Sequence, residues 1–145
     1  MNTDEMNIEE KLDSVYKRLI EEATINCKLN EEQNKMLKEL CDVYNKLNQK
    51  IKENTDLLKY IEKFKQEIIY DLKRALNNAV VRAKQITIEN SKENQIRILN
   101  TNAFLAQYYA YMKILREIDN NKFTEIRNKT CNDLRFVLSL IEKYY

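Results

Sequence analysis

Four basic side chains are the residues best placed to do chemistry, because they lie in a segment, residues 72–88, that contains no acidic residue. They are Lys73, Arg74, Arg82 and Lys84. Helical spacing puts Arg74, Asn78 and Arg82 on one side of a helix, where such side chains can contact phosphates or base edges. The sequence pI of about 8.3 is below that of a strongly basic nucleic-acid-binding domain. The first interpretation of this segment is therefore an ordinary basic face that is solvated or docks on an acidic helix. Nucleic-acid binding is the second interpretation.

Acidic side chains occur as adjacent pairs, namely Glu9 with Glu10, Glu21 with Glu22, and Glu31 with Glu32. Adjacent residues on a helix point apart, so these pairs suit solvated faces better than a divalent cation or acid–base catalysis. The chain has no His and no Gly, which excludes imidazole nucleophile pairs, Glu-x-x-His metal bundles and glycine loops that cradle phosphate. We therefore expect a protein that is not an enzyme and that needs no metal or cofactor.

Three cysteines, Cys27, Cys41 and Cys131, match no disulfide or metal-binding spacing. Thiols near apolar positions are typical of small buried side chains in a reducing compartment. The first residues are acidic and lack the features of a signal peptide, and no run of about 18 apolar residues is present to form a transmembrane helix. The sequence therefore predicts a cytoplasmic or nuclear protein with no signal peptide and no transmembrane segment.

The absence of both Gly and Pro from 145 residues indicates which elements must position these side chains. Strands need turns, and turns depend on these two residue types for positive φ angles and for a preset φ. Hydrophobic residues make up 43% of the chain and charged residues 33%, a balance that suits amphipathic helices. We expect one all-α domain over residues 1–145, a four- or five-helix bundle with long antiparallel helices, with a projecting coiled coil as an open alternative.

Helix ends must be inferred from caps in a chain of this composition. Asn30, which precedes two acids and Gln33, resembles a capping box and predicts a helix that begins near residue 31. Ser91 predicts a second helix start. Residues 119–121, Asp-Asn-Asn, predict a third break, because Asn tolerates the left-handed conformation after a helix end. A weaker break is predicted at residues 54–56.

An apolar stripe begins in the second predicted helix at the a and d positions of a heptad repeat and keeps one register to residue 86. Its first members, which we interpret as a seam for a partner helix, include Leu37, Tyr44, Leu47, Ile51 and Leu58. Residues 31–89 then form either one helix of about 59 residues, roughly 88 Å long, or two helices with a break at 54–55. The partner helix belongs to the protein itself, to a second copy or to another protein.

The segment 92–119 carries apolar residues on every side, most densely in residues 103–115. A helix of this kind is normally buried, so we expect it at the centre of the fold. It contains Tyr108, Tyr109 and Tyr111, whose hydroxyls need polar partners or solvent, so at least one should reach either. Alanines at 75, 79 and 83 and at 103, 106 and 110 predict a tight antiparallel hairpin of this helix with the one before it.

Charge is divided unevenly along the chain. Residues 1–32 contain nine acids and four bases, whereas residues 33–88 contain seven acids and twelve bases. These segments attract each other within one bundle or between subunits, or both are simply solvated. Together these features predict a non-catalytic scaffold, adaptor or assembly subunit that acts through helix–helix contacts with a protein partner or with itself. The alternative is a nucleic-acid-binding helical protein that uses the basic face of residues 73–84.

Overall fold

The computed structural model describes residues 3–26, 30–50 and 55–144, and this part of the chain forms five α-helices. They are α1 (Thr3–Asn26), α2 (Glu31–Lys50), α3 (Thr55–Ala83), α4 (Lys92–Ile118) and α5 (Asn120–Tyr144). The described residues contain no strand. The predicted all-α class and five-helix bundle are confirmed.

Two helix starts are formed by the capping contacts that the sequence predicts. The backbone N–H of Asn30 donates to Gln33 Oε1 at 2.7 Å, and the N–H of Gln33 donates to Asn30 Oδ1 at 2.9 Å. This reciprocal pair is a capping box, and α2 begins there. At the start of α4, the N–H of Asn94 donates to Ser91 Oγ at 3.1 Å. Both predicted helix starts are therefore confirmed.

A single residue, Asp119, separates α4 from α5. Its N–H donates to the Leu115 carbonyl at 2.8 Å, and its Oδ1 accepts from the N–H of Lys122 at 3.1 Å. Asp119 therefore closes α4 and caps α5. Its φ of −156° is extended, so this break uses a side-chain cap instead of the left-handed residue that we expected.

α4 lies at the centre of the fold, where it contacts each of the other four helices. In the part of the chain that the structure describes, α5 contacts only α3 and α4. The helices therefore form three layers, with the α1–α2 hairpin on one side of the α3–α4 hairpin and α5 on the other. The predicted central position of the 92–119 helix is confirmed.

The chain reverses direction between α2 and α3, so residues 31–89 do not form one long helix. The ring centroids of Tyr44 and Phe64 lie 6.1 Å apart. Residues twenty positions apart in one straight helix would be separated by about 30 Å. The two-helix alternative is therefore correct, and the single 88 Å helix (at ~1.5 Å per residue) is wrong.

The apolar stripe that the continued heptad register predicts is buried from Ile61 to Ile86, but not in the first turn of α3. Leu58 is 44% exposed, whereas its neighbour Leu57 is 1% exposed. Leu57 shares a helical face with Ile61 and Phe64, four and seven residues later, and both are buried. Because the chain reverses before α3, the register of α2 does not carry over to its first turn. Leu58, a predicted member of the partner-helix seam, therefore lies outside the core of this chain.

α3 and α4 form the predicted antiparallel hairpin. Near its loop, the side-chain amide of Asn94 donates to the Thr87 carbonyl at 2.8 Å. At the opposite end, Lys65 Nζ lies 3.7 Å from Asp119 Oδ2. The alanines of both stripes are buried except Ala103, which is half-buried. That the two stripes face each other stays a prediction.

Two tyrosines connect α1 to α3, each through a carboxylate on the other helix. Tyr16 Oη donates to Asp71 Oδ2 at 2.9 Å, and Tyr60 Oη donates to Asp13 Oδ1 at 2.8 Å. The ring of Tyr16 also lies 5.9 Å from that of Tyr111 on α4. Tyr16 therefore attaches α1 to both helices of the central hairpin.

Tyr108 and Tyr109 satisfy their hydroxyls in different ways. Tyr108 is buried, and its Oη lies 2.7 Å from Thr130 Oγ1 on α5. Thr130 Oγ1 donates its one hydrogen to the Ile126 carbonyl at 2.8 Å, so Tyr108 is the donor of the first bond. Tyr109 is exposed. The expectation that at least one of these hydroxyls reaches solvent or a polar neighbour is confirmed.

We expect Leu57→Ala to lower the free energy of unfolding by about 2–5 kcal/mol, and Leu58→Ala to lower it by about 0.5 kcal/mol or less. The two variants lose the same atoms from adjacent residues, but only Leu57 is buried. Urea denaturation followed by circular dichroism measures the difference. Equal losses would show that Leu58 packs in a seam, as the continued heptad predicts.

High pH should destabilise the fold, because burial raises the pKa values of several tyrosines. They are Tyr16, Tyr44, Tyr60, Tyr108, Tyr109 and Tyr111. In the unfolded chain these phenols have a pKa of about 10, so above that pH the unfolded state binds fewer protons than the folded state, and stability falls. We expect helix content and near-ultraviolet phenolate absorbance to change together above about pH 10. Ionisation of most tyrosines with the helices intact would contradict this.

Candidate interaction surface

α2 covers only part of α4. Lys113 Nζ, in the second half of α4, donates to Asn34 Oδ1 near the start of α2 at 3.3 Å. Cys41, further along α2, faces Glu117, further along α4, so the two helices run parallel. From Lys113 back to Lys92, α4 therefore extends for about 30 Å beyond the contact with the first turn of α2.

Burial decreases along one face of α4 towards the start of the helix. Spacings of three and four residues place the following side chains on that face: Ile96, Leu99, Ala103, Ala106 and Ala110. Ala110 and Ala106 are 0% and 3% exposed, Ala103 is half-buried, and Leu99 and Ile96 are 58% and 55% exposed. The apolar stripe therefore continues beyond the helices that cover it.

α3 shows the same transition at heptad spacing. Ile68 and Ala75 are buried, but Arg82, seven residues after Ala75, is exposed. Ala75 and Ile68 occupy the same heptad position one and two repeats earlier, where other helices cover it. On α4, exposed Lys92 lies four residues before Ile96 on the same face. We call the surface formed by Arg82, Lys92, Ile96 and Leu99 the uncovered face.

The four basic residues that the sequence singles out are all exposed, but they do not form one patch. At about 100° per residue, Lys73 and Lys84 lie about 20° apart around α3, whereas Arg82 lies about 160° from Lys84. Arg74 Nη2 lies 3.8 Å from Asp71 Oδ1. Within the described residues, Lys73, Arg82 and Lys84 form no ion pair. Arg82 alone among the four lies on the uncovered face.

The predicted partner seam of α2 is occupied inside the molecule. Leu37, Tyr44 and Leu47 are buried in a core cluster with side chains of α1, α3 and α4. Leu58 is exposed, and Ile51 lies outside the described residues. The helices that pack on the described part of this seam therefore belong to the protein itself.

Ile96 and Leu99 are the surface residues that periodicity alone misses. Leu99 shares a face with three alanines, and this pattern predicts burial. The predicted caps could have indicated this exposure. They make the helix that begins at residue 31 shorter than the helices on which it packs. α2 has 20 residues, against 29 in α3 and 27 in α4. A short covering helix leaves part of a longer apolar stripe exposed.

Cys41 is half-buried at a groove between α2 and the end of α4. Burial, with smaller contributions from Glu117 and Asp42, raises the pKa of its thiol to about 12. Because the thiolate is the reactive form, this thiol is inert at neutral pH. Cys131 is also a free thiol, and Cys27 lies outside the described residues.

The described ranges contain no helix that is long and apolar enough to cross a membrane. Nor do three or more potential metal ligands of the Cys, Asp or Glu type gather among these residues. No protein-family model matches the sequence, and comparison with curated proteins and with solved structures gave no match. The uncovered face is therefore the feature from which function is inferred.

Because burial changes along α4, we expect a substitution to Asp to have a small effect on stability at one position and a large effect at another. In dilute protein, Leu99→Asp should change the free energy of unfolding by less than about 0.5 kcal/mol, because the side chain is exposed. Ala106→Asp should lower it by more than about 3 kcal/mol, because an unpaired carboxylate would be buried seven residues later on the same face. Urea denaturation of both variants measures this. Similar losses would show that the α1–α2 hairpin covers both positions.

Proposed function

We propose that this protein is a non-catalytic assembly module that binds a protein partner through helix–helix contacts at the uncovered face. One observation carries the proposal. The apolar stripe of α4 is buried by other helices at Ala106 and Ala110 but continues as exposed Ile96 and Leu99. A partner helix placed there would extend the packing that the α1–α2 hairpin begins.

Burial of two large aliphatic side chains supports this proposal energetically. Full burial of Leu or Ile stabilises by about 1.5–3 kcal/mol each, and both residues are more than half exposed. An amphipathic helix laid along such a stripe is a common mode of recognition. Arg82 and Lys92 at the edges of the stripe favour a partner with acidic side chains around its apolar residues.

Nucleic-acid binding remains the second candidate, because Lys73, Arg82 and Lys84 are exposed and form no ion pair with described residues. Two observations weigh against nucleic-acid binding. Arg74 is paired with Asp71, and Arg82 points to a different side of α3 from Lys73 and Lys84. A Lys73→Glu/Lys84→Glu variant tests it. Binding to DNA or RNA in a gel shift at low salt, lost in this variant and weakened steeply by salt, would favour the second candidate over the first.

The proposed function is tested by comparing three baits from the native source. They are the wild type, Leu99→Asp and the matched control Leu58→Asp, which alters an exposed leucine away from the uncovered face. We expect a partner that the wild type and the Leu58 variant retain and that the Leu99 variant loses. Purified partner and isothermal titration calorimetry should then show affinity reduced at least about tenfold by Leu99→Asp. A partner retained equally by all three baits would contradict the proposal.

A further inference from the structure

We propose that the outer face of α3 binds single-stranded nucleic acid through a row of lysines and one tyrosine. Spacings of three and four residues place eight exposed side chains on this side of the helix. They are Lys59, Lys63, Gln66, Tyr70, Lys73, Asn77, Val81 and Lys84. We call this surface the lysine face. The inference goes beyond the proposed function, because the lysine face and the uncovered face are different surfaces.

The lysine face is straight and points away from the core. At about 100° per residue it is about 80° wide, and at ~1.5 Å per residue it is about 37 Å long. Lys84 extends it past the end of α3, because its N–H donates to the Val80 carbonyl at 3.2 Å, as in a helix. On the opposite side of α3, Ile61, Ile68 and Leu72 are buried in the core.

Positive charge on this face is not neutralised by the acids of α3. In the part of the chain that the structure describes, the four lysines form no ion pair. Glu62 and Asp71 lie outside the face and have other cationic partners. Lys65 Nζ lies 3.3 Å from Glu62 Oε1, and Arg74 Nη2 lies 3.8 Å from Asp71 Oδ1. The face itself contains no acidic residue.

The edge of the lysine face beside α1 is less basic than the rest. Asp13 of α1 and Glu67 of α3 line a small groove together with Lys63. Lys59, Lys73 and Lys84 are not among the residues that line this groove. The face therefore offers three lysines away from these acids, and a fourth beside them.

The composition of the face favours nucleic acid over other polyanions. Lys is depleted at protein–protein interfaces, and a helix that lies on a membrane needs an apolar face to enter the lipid. The apolar side of α3 is instead enclosed by the core. Phosphates are contacted by lysines, and the side-chain amides of Gln66 and Asn77 can bond to phosphates, sugars or bases.

Tyr70 favours a single strand over a duplex. It lies near the middle of the lysine face and is 65% exposed. The guanidinium carbon of Arg74 lies 5.9 Å from the centroid of its ring. An exposed aromatic ring stacks on an unpaired base, and a neighbouring arginine adds a cation–π contribution. The lysines then hold the phosphates along the helix axis while a base lies on Tyr70.

Fluorescence anisotropy with labelled oligo(dT) and oligo(U) of about 20 nucleotides measures this binding. Affinity should fall with salt, and the slope of log K against log salt concentration should be about −2 to −3, because three or four phosphates contribute about −0.7 each. A duplex of equal length should bind more weakly, since its bases are not free to stack on Tyr70. A wild type that binds neither oligonucleotide at low salt overturns the inference.

Two double variants test whether the whole face takes part. Lys59→Gln/Lys63→Gln and Lys73→Gln/Lys84→Gln should each make the salt slope shallower by about 0.7 to 1.4. All four side chains are exposed, and circular dichroism checks that both variants fold. A slope that changes only in the second variant would place binding on residues 73–84 alone and would overturn the assignment of the lysine face.

Three further variants separate phosphate contacts, base stacking and general charge. Tyr70→Ala should weaken binding at least about fivefold without changing the salt slope. The matched control Lys35→Gln/Lys46→Gln removes two exposed lysines of α2 and should leave both affinity and slope unchanged, as should Arg82→Gln. Equal losses in these controls, or binding to phosphatidylserine vesicles without binding to oligonucleotides, would overturn the inference.

The outcomes are independent of the proposed function. Leu99→Asp should bind the oligonucleotides as the wild type does. Both lysine variants should retain the protein partner whose capture depends on Leu99. If oligonucleotide binding fails and this capture persists, only the inference about the lysine face is overturned. If capture fails and oligonucleotide binding persists, only the proposed function is contradicted.

Discussion

α4 carries apolar side chains on every side, and they are withdrawn from water only where α1, α2, α3 and α5 pack around it. This requirement produces the three layers of the fold. Polar groups that enter the core are paired across the layers, as when Tyr16 donates to Asp71 and Tyr108 to Thr130. These bonds orient α1 and α5 against the central hairpin and avoid the penalty of an unpaired buried hydroxyl.

The same requirement explains why one end of the hairpin is exposed. A covering layer must be as long as the stripe that it covers, and α2 is shorter than α3 and α4. Beyond Ala103 the stripe therefore meets water through Leu99 and Ile96. Isolated exposed aliphatic side chains are ordinary on protein surfaces. Leu99 and Ile96 continue a buried helical stripe, which is why we propose that a further helix contacts them.

The ion pairs of α1 differ from those that the opposite net charges of residues 1–32 and residues 33–88 suggest. Two bases of α1, Lys11 and Arg18, approach Glu39 on α2. Towards α3, Tyr16 of α1 contacts Asp71, an acid. Lys84 at one end and Glu31 at the other are left in solvent. Because each exposed ion pair contributes little, such charges are better suited to choosing and orienting a partner than to stabilising the monomer.

The sequence by itself determined the all-α class, the helix starts at the Asn30–Gln33 box and at Ser91, and the central place of α4, because composition, caps and apolar periodicity act within a few residues. It left open whether residues 31–89 reverse, and it placed Leu58 in a seam for a partner helix. Only the tertiary structure decided that Tyr44 returns to Phe64, that the seam of Leu37, Tyr44 and Leu47 is filled internally, and that Leu99 is exposed. The physical reason is that burial depends on which helices lie alongside and where they end. A heptad pattern records that a face needs a partner, but it does not record how far along the helix the partner extends.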